Sequence, residues 1–274
     1  MINLIALVKS TYKNQSNTNW INLHPMEIKN IVLLVIFILG LVYMQLLQAK
    51  PVDEIINKYA DARGGKQKLN LINSLYMEGS RKMMGSEIVI MVTKVQGKLY
   101  RNDFEFGGSK GYTIITPTGG WSFIPMRSPT VEPIGEDRLK IMQTDLDIID
   151  PLINYTAKGH KAVLAGKEEI DGKEAHKIKL TLNTGKEIIY LIDAETNLLL
   201  QTKQMNTSLD KSASENAEPE KELVTNFGDY RYVDGVMFPF RISNPGNALA
   251  SGLTTFSKIE LNKAIDESLF KPSA

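Results

Sequence analysis

The 274-residue sequence contains no cysteine. That excludes a disulfide scaffold, a thiolate nucleophile and a thiolate metal site. It also leaves nothing to carry a lipid after the N-terminal apolar segment, so the chain is not itself a bacterial lipoprotein. Histidine is almost as scarce, with His24, His160 and His176 making up the three. They form no pair at metal-ligand spacing, and neither H-E-x-x-H nor G-x-S-x-G occurs. A surplus of one charge is missing as well: 32 Lys+Arg stand against 31 Asp+Glu. Three of the basic residues (Lys9, Lys13, Lys29) and one acidic residue (Glu27) fall within 1–49, which leaves 29 against 30 beyond it. With no basic surplus and no block of like charge, a nucleic acid is not an expected partner. No unit recurs at a fixed period, which argues against a propeller or solenoid.

What is present first is one long apolar run. Ile31 to Met44 carries no charge, Lys29 precedes it, and Leu47-Gln48-Ala49 closes it with a small residue. A basic start, about 7–15 apolar residues and a small-residue end is the secretory pattern. A spanning helix needs about 20 apolar residues, and Gln45 and Gln48 interrupt this run. Export to the periplasm with cleavage near Ala49 is the expected outcome. A retained N-terminal membrane anchor is the alternative, and a buried core helix comes third. Residues 1–25 lack a sustained period and are read as upstream sequence or a disordered lead. Met26 is then the true start, 26–49 the signal peptide and 50–274 one domain, a length suited to one sizeable core.

Beyond the run, Val52, Ile55, Ile56, Tyr59 and Ala60 fall at helical spacing before Gly64-Gly65. From Leu75 the period becomes two. Strands are expected at 75–83, 87–95, 98–106, 112–116, 120–125, 162–170, 174–182, 186–193, 198–205, 222–232, 236–243 and 252–261. Asp171-Gly172 is a hairpin turn, and Asn206–Lys221 is a polar loop. Pro239 marks an edge or a bulge. Ile88, Ile90 and Val92 point one way in the second strand, and Val89, Met91 and Val95 the other. Strands apolar on both faces need something to cover the second face. Between Pro125 and Lys161 the rhythm breaks into a proline-rich loop, then helical spacing through Leu139, Met142, Leu146, Ile149, Leu152 and Ile153. The fold class is mainly β with short helices: a curved antiparallel sheet of about 11 strands forming an incomplete barrel, with helices over the concave face. The tail should tuck onto the sheet through Leu269 and Phe270.

No catalytic set assembles, so the chain is not read as an enzyme and no cofactor or metal is expected. His176 shares inward parity with Ile178 and Leu180 and reads as a hydrogen-bonded histidine. A hydrolase built on it is the remotest reading. Asp145, Asp147 and Asp150 lack the central glycine and terminal glutamate of a calcium loop, and read as a solvated helix face. The informative residues are aromatic and apolar. Tyr100, Phe104, Tyr112, Trp121, Phe123, Met91, Met142, Leu146, Ile149 and Phe240 are the candidates to line a greasy cavity between sheet and helices. Such a cavity takes acyl chains by burying about 0.8 kcal/mol per CH₂.

Several stretches resemble the LolA/LolB-like family of periplasmic lipoprotein-sorting proteins. They are Lys98-Leu99-Tyr100-Arg101, Gly119-Gly120-Trp121-Ser122-Phe123, the insertion near 134–155, Tyr230-Arg231-Tyr232-x-Asp234-Gly235-Val236-x-Phe238-Pro239, and Asn262-x-x-Ile265-Asp266-x-x-Leu269-Phe270-x-x-Pro272. The resemblance implies an unclosed barrel with a helical lid and a cavity for lipoprotein acyl chains or another lipid-like ligand. It further implies an inner-membrane donor and an outer-membrane acceptor; a monomer is expected. Where the best-known carriers hold a basic residue followed by proline, this chain has Gln96-Gly97-Lys98. A periplasmic interaction or scaffold module with a side-chain-filled core is the alternative.

Overall fold

The computed structural model describes residues 33, 35, 36, 51–83, 85–205, 222–245 and 252–272. The chain divides into two units, Met1–Leu47 and Gln48–Ala274. Of the first, only Leu33, Val35 and Ile36 are described: helical, apolar and exposed. The lead 1–25, the cleavage point near Ala49 and the loop 206–221 lie outside the described residues. No helix among the described residues is long and apolar enough to cross a membrane.

The first described element of the second unit is a helix over residues 51–62 (α1). Val52, Ile55, Ile56, Tyr59 and Ala60 are all buried, so the 3.6-residue spacing turns one stripe into the core. The Gly65 amide donates to the Ala60 carbonyl at 2.9 Å, and Gly64-Gly65 take φ of 115° and 90°. This left-handed exit ends the helix. A short helix Lys66–Asn70 (α2) adds Leu69 to the same core.

Thirteen strands follow in one antiparallel sheet, ordered β6-β5-β4-β3-β2-β1-β13-β12-β11-β10-β9-β8-β7. They are β1 Ser74–Met83, β2 Ser86–Val95, β3 Leu99–Phe106, β4 Ser109–Ile115, β5 Gly120–Phe123, β6 Glu132–Pro133, β7 Lys161–Ile170, β8 Lys173–Thr181, β9 Glu187–Asp193, β10 Leu199–Met205, β11 Glu222–Val233, β12 Val236–Asn244 and β13 Gly252–Leu261. The expected count of about 11 is corrected to 13. β6 is a two-residue strand inside the proline-rich loop, too short to leave a periodic signal. The sheet is a meander on each side of one long-range seam, where β1 pairs with β13. Asp171-Gly172 and Asp234-Gly235 each turn with two positive φ angles, which sets the tight hairpins β7–β8 and β11–β12. The two edges, β6 and β7, do not pair, so the barrel stays open.

That topology decides what covers the sheet. Residues 134–160 join β6 to β7 and must cross from one edge to the other. They begin as a helix Glu136–Met142 (α3), tighten into a 3₁₀ turn Gln143–Leu146 and continue as turns to residue 159. Ile149, Leu152 and Ile153 sink into one core with α1 and with Ile178, Leu180, Tyr190, Phe238, Phe240 and Ile259 of the sheet. This is the inner face. The outer face of the first five strands carries a second core of Leu99, Tyr112 and Ile114, packed by Trp121, Phe123, Val131, Ile265, Leu269 and Phe270. The closing tail is therefore the cover that the two-faced strands require.

Pro239 stands in β12 opposite Tyr230. The β12–β13 ladder begins only at Arg241, which spares Pro239 a missing sheet donor. Arg63, at the end of α1, fills the gap: its Nε donates to the Met237 carbonyl at 2.8 Å, and the Met237 amide donates back to the Arg63 carbonyl at 2.9 Å.

Candidate functional site

Between the inner face and the crossing segment lies a cavity of about 440 Å³, within the roughly 300–1,000 Å³ of small-molecule sites. Its sheet wall is largely apolar: Leu75, Met77, Leu182, Ile188, Leu199, Phe227, Phe238 and Ile242 line it, with Tyr59 from α1. Ile141, Met142, Ile148 and Pro151 close it from the crossing segment. Leu75, Met77, Leu182, Tyr190, Leu199 and Phe238 are buried, while Asp145 alone among the lining residues is exposed. The cavity thus has an exposed acidic residue at Asp145 and a buried lining that is mostly apolar on the sheet side, with the buried Tyr59 and Arg63 beside it.

Four sets of hydrogen bonds hold the roof in place. Gln143 Nε2 donates to the carbonyls of Thr116 (3.1 Å) and Pro117 (2.9 Å) in the β4–β5 turn. Gln96, in the β2–β3 turn, donates to Asp147 Oδ1 at 3.0 Å and accepts from the Ile148 amide at 2.8 Å. The next amide, Gly97, donates to the Leu146 carbonyl at 2.9 Å. Asp150 accepts from the Tyr59 hydroxyl at 2.7 Å, and Arg63 Nη1 donates to that hydroxyl at 3.1 Å. Lys158 pairs with Asp147 at 2.5 Å. So Gln96, where the resembled carriers hold a basic residue, ties the roof down with a neutral amide.

Asp145, Asp147 and Asp150 are not a solvated helix face. α3 ends at Met142, and the three carboxylates line the cavity. The physical cause is local. Asp147 Oδ1 accepts from the Ile149 amide at 3.1 Å, and Asp150 Oδ1 from the Leu152 amide at 2.8 Å. These side-chain turns compete with helix, and Pro151 removes a further donor. Among the described residues no group of three His/Cys/Asp/Glu side chains is arranged to hold a metal ion.

Two lysines also line the cavity and were not among the residues expected there. Lys94 ends the inward row Ile90, Val92, Lys94 of β2, opposite Leu75 and Tyr100. Lys186 leads into the row Ile188, Tyr190, Ile192 of β9. Burial holds both ammonium groups below the usual lysine range, and Asp145 pulls each partly back. The surrounding cavity walls desolvate and so raise the Asp145 carboxyl, although the residue reaches solvent at the mouth, against the attraction of Lys94 and then Lys186. Strand parity alone could have placed both lysines inside.

Protein-family models and curated protein sequences give no match to this chain. Solved structures do. A LolA superfamily protein from Nitrosomonas europaea superposes with a TM-score of 0.51 at 13% identity, over 79% of this chain and 96% of that one. The chain shares the fold of that protein. An outer membrane lipoprotein-sorting protein domain from Vibrio parahaemolyticus (0.48, 12% identity, 79% and 94% covered) and a DUF1329 family protein from Desulfovibrio piger (0.45, 15% identity, 81% and 97% covered) are also similar.

Within this sheet the ten residues expected to line one cavity separate. Met142 lines the inner cavity. Ile149 and Phe240 belong to the inner core, and Leu146 is buried in the crossing segment. Tyr100 shares the inward row with Lys94, whose ammonium lies 5.2 Å from its ring centre. Tyr112, Trp121 and Phe123 stand on the outer face, because register sets Asp103↔Tyr112↔Phe123 and Arg101↔Ile114↔Trp121 together. Met91, Phe104, Tyr112 and Phe123 line an outer pocket of about 540 Å³ beneath Leu269. Its one buried charge is committed: Arg101 grips Asp103 with two nitrogens at 2.7–3.0 Å, donates to the Leu269 carbonyl at 3.2 Å and stacks 4.9 Å from the Tyr112 ring centre. The inner cavity has polar groups still free to meet a ligand.

The two described histidines, His160 and His176, stand apart from it. His160 Nδ1 accepts from the Asn183 amide at 3.1 Å. His176 faces α1 beside Ile55 and Lys58 in a shallow depression, and partial burial lowers its pKa.

Proposed function

We propose that this chain is a periplasmic binding protein or carrier that takes lipoprotein acyl chains, or another lipid-like ligand, into the inner cavity. The observation that carries this reading is the cavity of about 440 Å³ between an apolar sheet wall and a hydrogen-bonded roof. Each methylene moved from water onto Leu75, Met77, Ile188 or Phe238 contributes about 0.8 kcal/mol. The crossing segment covers one side of the cavity, and no bond need be made or broken. The LolA-type fold supports the reading. The apolar run 31–49 supports export, with a donor at the inner membrane and an acceptor at the outer one.

Two measurements test it. Protein extracted without detergent is weighed by native mass spectrometry for bound lipid, and titrated with the neutral probe N-phenyl-1-naphthylamine. The same titration is run on Ile188→Trp, which fills the cavity from its wall. Bound lipid or probe binding is expected, with at least a tenfold loss in the variant. A chain that neither carries nor takes up an apolar ligand sinks the proposal. N-terminal sequencing of the periplasmic fraction should begin at Lys50. The scaffold alternative is favoured by Tyr59, Leu152 and Ile153, each 0% exposed, which already fill part of the inner face. It would show as no probe binding together with a cross-linked protein partner.

A further inference from the structure

The cavity mouth carries an unbalanced charge. Asp147 is neutralised by Lys158, and Asp150 faces Arg63 through the Tyr59 hydroxyl. Asp145 is then the leading carboxylate acting on both Lys94 and Lys186, with a smaller pull from Asp147 on Lys94, whose ammonium also lies over the Tyr100 ring. Among the described residues, neither ammonium forms a hydrogen bond or a direct ion pair. Two desolvated cations sharing one carboxylate hold one positive charge in excess. A buried charge without a partner is costly, and the cost falls when an anion binds.

The position of this excess matters. Asp145 is the exposed lining residue, and Lys94 and Lys186 are half-buried in the same cavity. Leu75 stands opposite Lys94, and the buried apolar wall continues from it through Met77, Leu199 and Phe238. An occupant that satisfies both ends has an acidic head and an apolar tail. We propose that the ligand is an anionic single-tailed amphiphile whose carboxylate or phosphate head sits between Lys94 and Lys186. A fully neutral tail would leave both ammonium groups as they are, and a free anion would leave the apolar wall wet. This inference rests on the reading of the cavity as a ligand site.

The test separates the two. Displacement of N-phenyl-1-naphthylamine from the full chain is measured with dodecanoate, dodecyl phosphate, dodecanol and inorganic phosphate. The same set is run on Lys94→Met/Lys186→Met, which keeps the side-chain length, and on Asp145→Asn. Charge-assisted hydrogen bonds are the strong ones, so the acids should bind about tenfold or more tighter than dodecanol. The double variant should erase that preference by weakening the acids relative to dodecanol, and Asp145→Asn should widen it. Inorganic phosphate should displace nothing. Equal binding of acids and alcohol in the wild type overturns the inference and leaves the cavity reading standing; this comparison needs no variant to fold. Phosphate competing as well as dodecyl phosphate overturns it too, because the tail would then be idle. Failure of every probe to bind removes the cavity reading and this one with it.

Discussion

At the scale of single residues, Asp150 decides how the interior tolerates polarity. It accepts a hydrogen bond from the Tyr59 hydroxyl at 2.7 Å, with the Arg63 guanidinium donating to that hydroxyl at 3.1 Å, and its charge acts on the buried Tyr190 phenol. Tyr59 and Tyr190 are 0% and 3% exposed. Removing the carboxylate leaves the buried Tyr59 phenol without its acceptor and takes a counter-charge from Arg63. Asp150→Ala should therefore cost about 2–3 kcal/mol, read as a lower urea midpoint at unchanged slope. Asp150→Asn keeps an acceptor oxygen and should lose less. The same cluster sets an alkaline limit. Burial, and then the Asp150 charge, hold the phenols of Tyr59 and Tyr190 well above the ordinary value of 10.0. The folded state keeps its protons to higher pH than the unfolded chain does. Stability from this source is thus complete below pH about 10 and falls as the pH rises past it. Unfolding midpoints measured from pH 8 to 12 should stay level and then drop, with tyrosinate absorbance rising at the same transition. The absorbance belonging to these two phenols is the difference between the wild type and Tyr59→Phe/Tyr190→Phe; if that difference already appears near pH 10 in the folded protein, the assignment is contradicted.

At the scale of elements, the crossing segment is held by the turns of the sheet rather than by its own helicity. α3 buries none of its residues, so its stability comes from its ends. Gln96→Ala removes the bonds to Asp147 and the Ile148 amide, each worth about 1 kcal/mol. Hydrogen exchange at Ile148 and Ile149 should quicken about tenfold or more, while amides in β8 and β9 stay protected. If the two regions respond equally, the segment is part of the global unit and no separate roof exists. These elements also show what a sequence can reveal. The twelve longer strands follow the period of two because one face of each row is committed to a core. β6 escaped, with two residues and a proline. The helical spacing of 136–155 held only to Met142, since Asp147 and Asp150 spend their side chains on nearby amides. The cavity was half legible. Rows such as Ile90-Val92-Lys94 put the lysines inside by parity. Tyr100 and Trp121 went to opposite faces through hairpin registers that composition does not specify.

At the scale of the molecule, the seam between β1 and β13 holds two meanders together. Its register runs from Leu75↔Leu261 to Lys82↔Leu253, joining positions roughly 180 residues apart, a closure that is entropically late and slow. The tail after β13 does a different job. Ile265, Leu269 and Phe270 cover Leu99, Tyr112 and Ile114 on the outer face, and the Asn262 side chain accepts the Asn73 amide at 2.7 Å. Two truncations separate these roles. A chain ending at Asn262 keeps every strand and exposes the outer core. It should fold cooperatively, about 2–4 kcal/mol less stable, and bind a hydrophobic dye on its surface. A chain ending before Gly252 loses the seam strand, leaving long flanks of β1 and β12 as open edges and stripping Phe256 and Ile259 from the inner core. Unpaired edges beside an uncovered core are templates for association, so this chain should aggregate on sizing chromatography instead of unfolding reversibly. Should the shorter chain remain monomeric with a cooperative melt, the two meanders would be independent folding units and the seam only a contact between them.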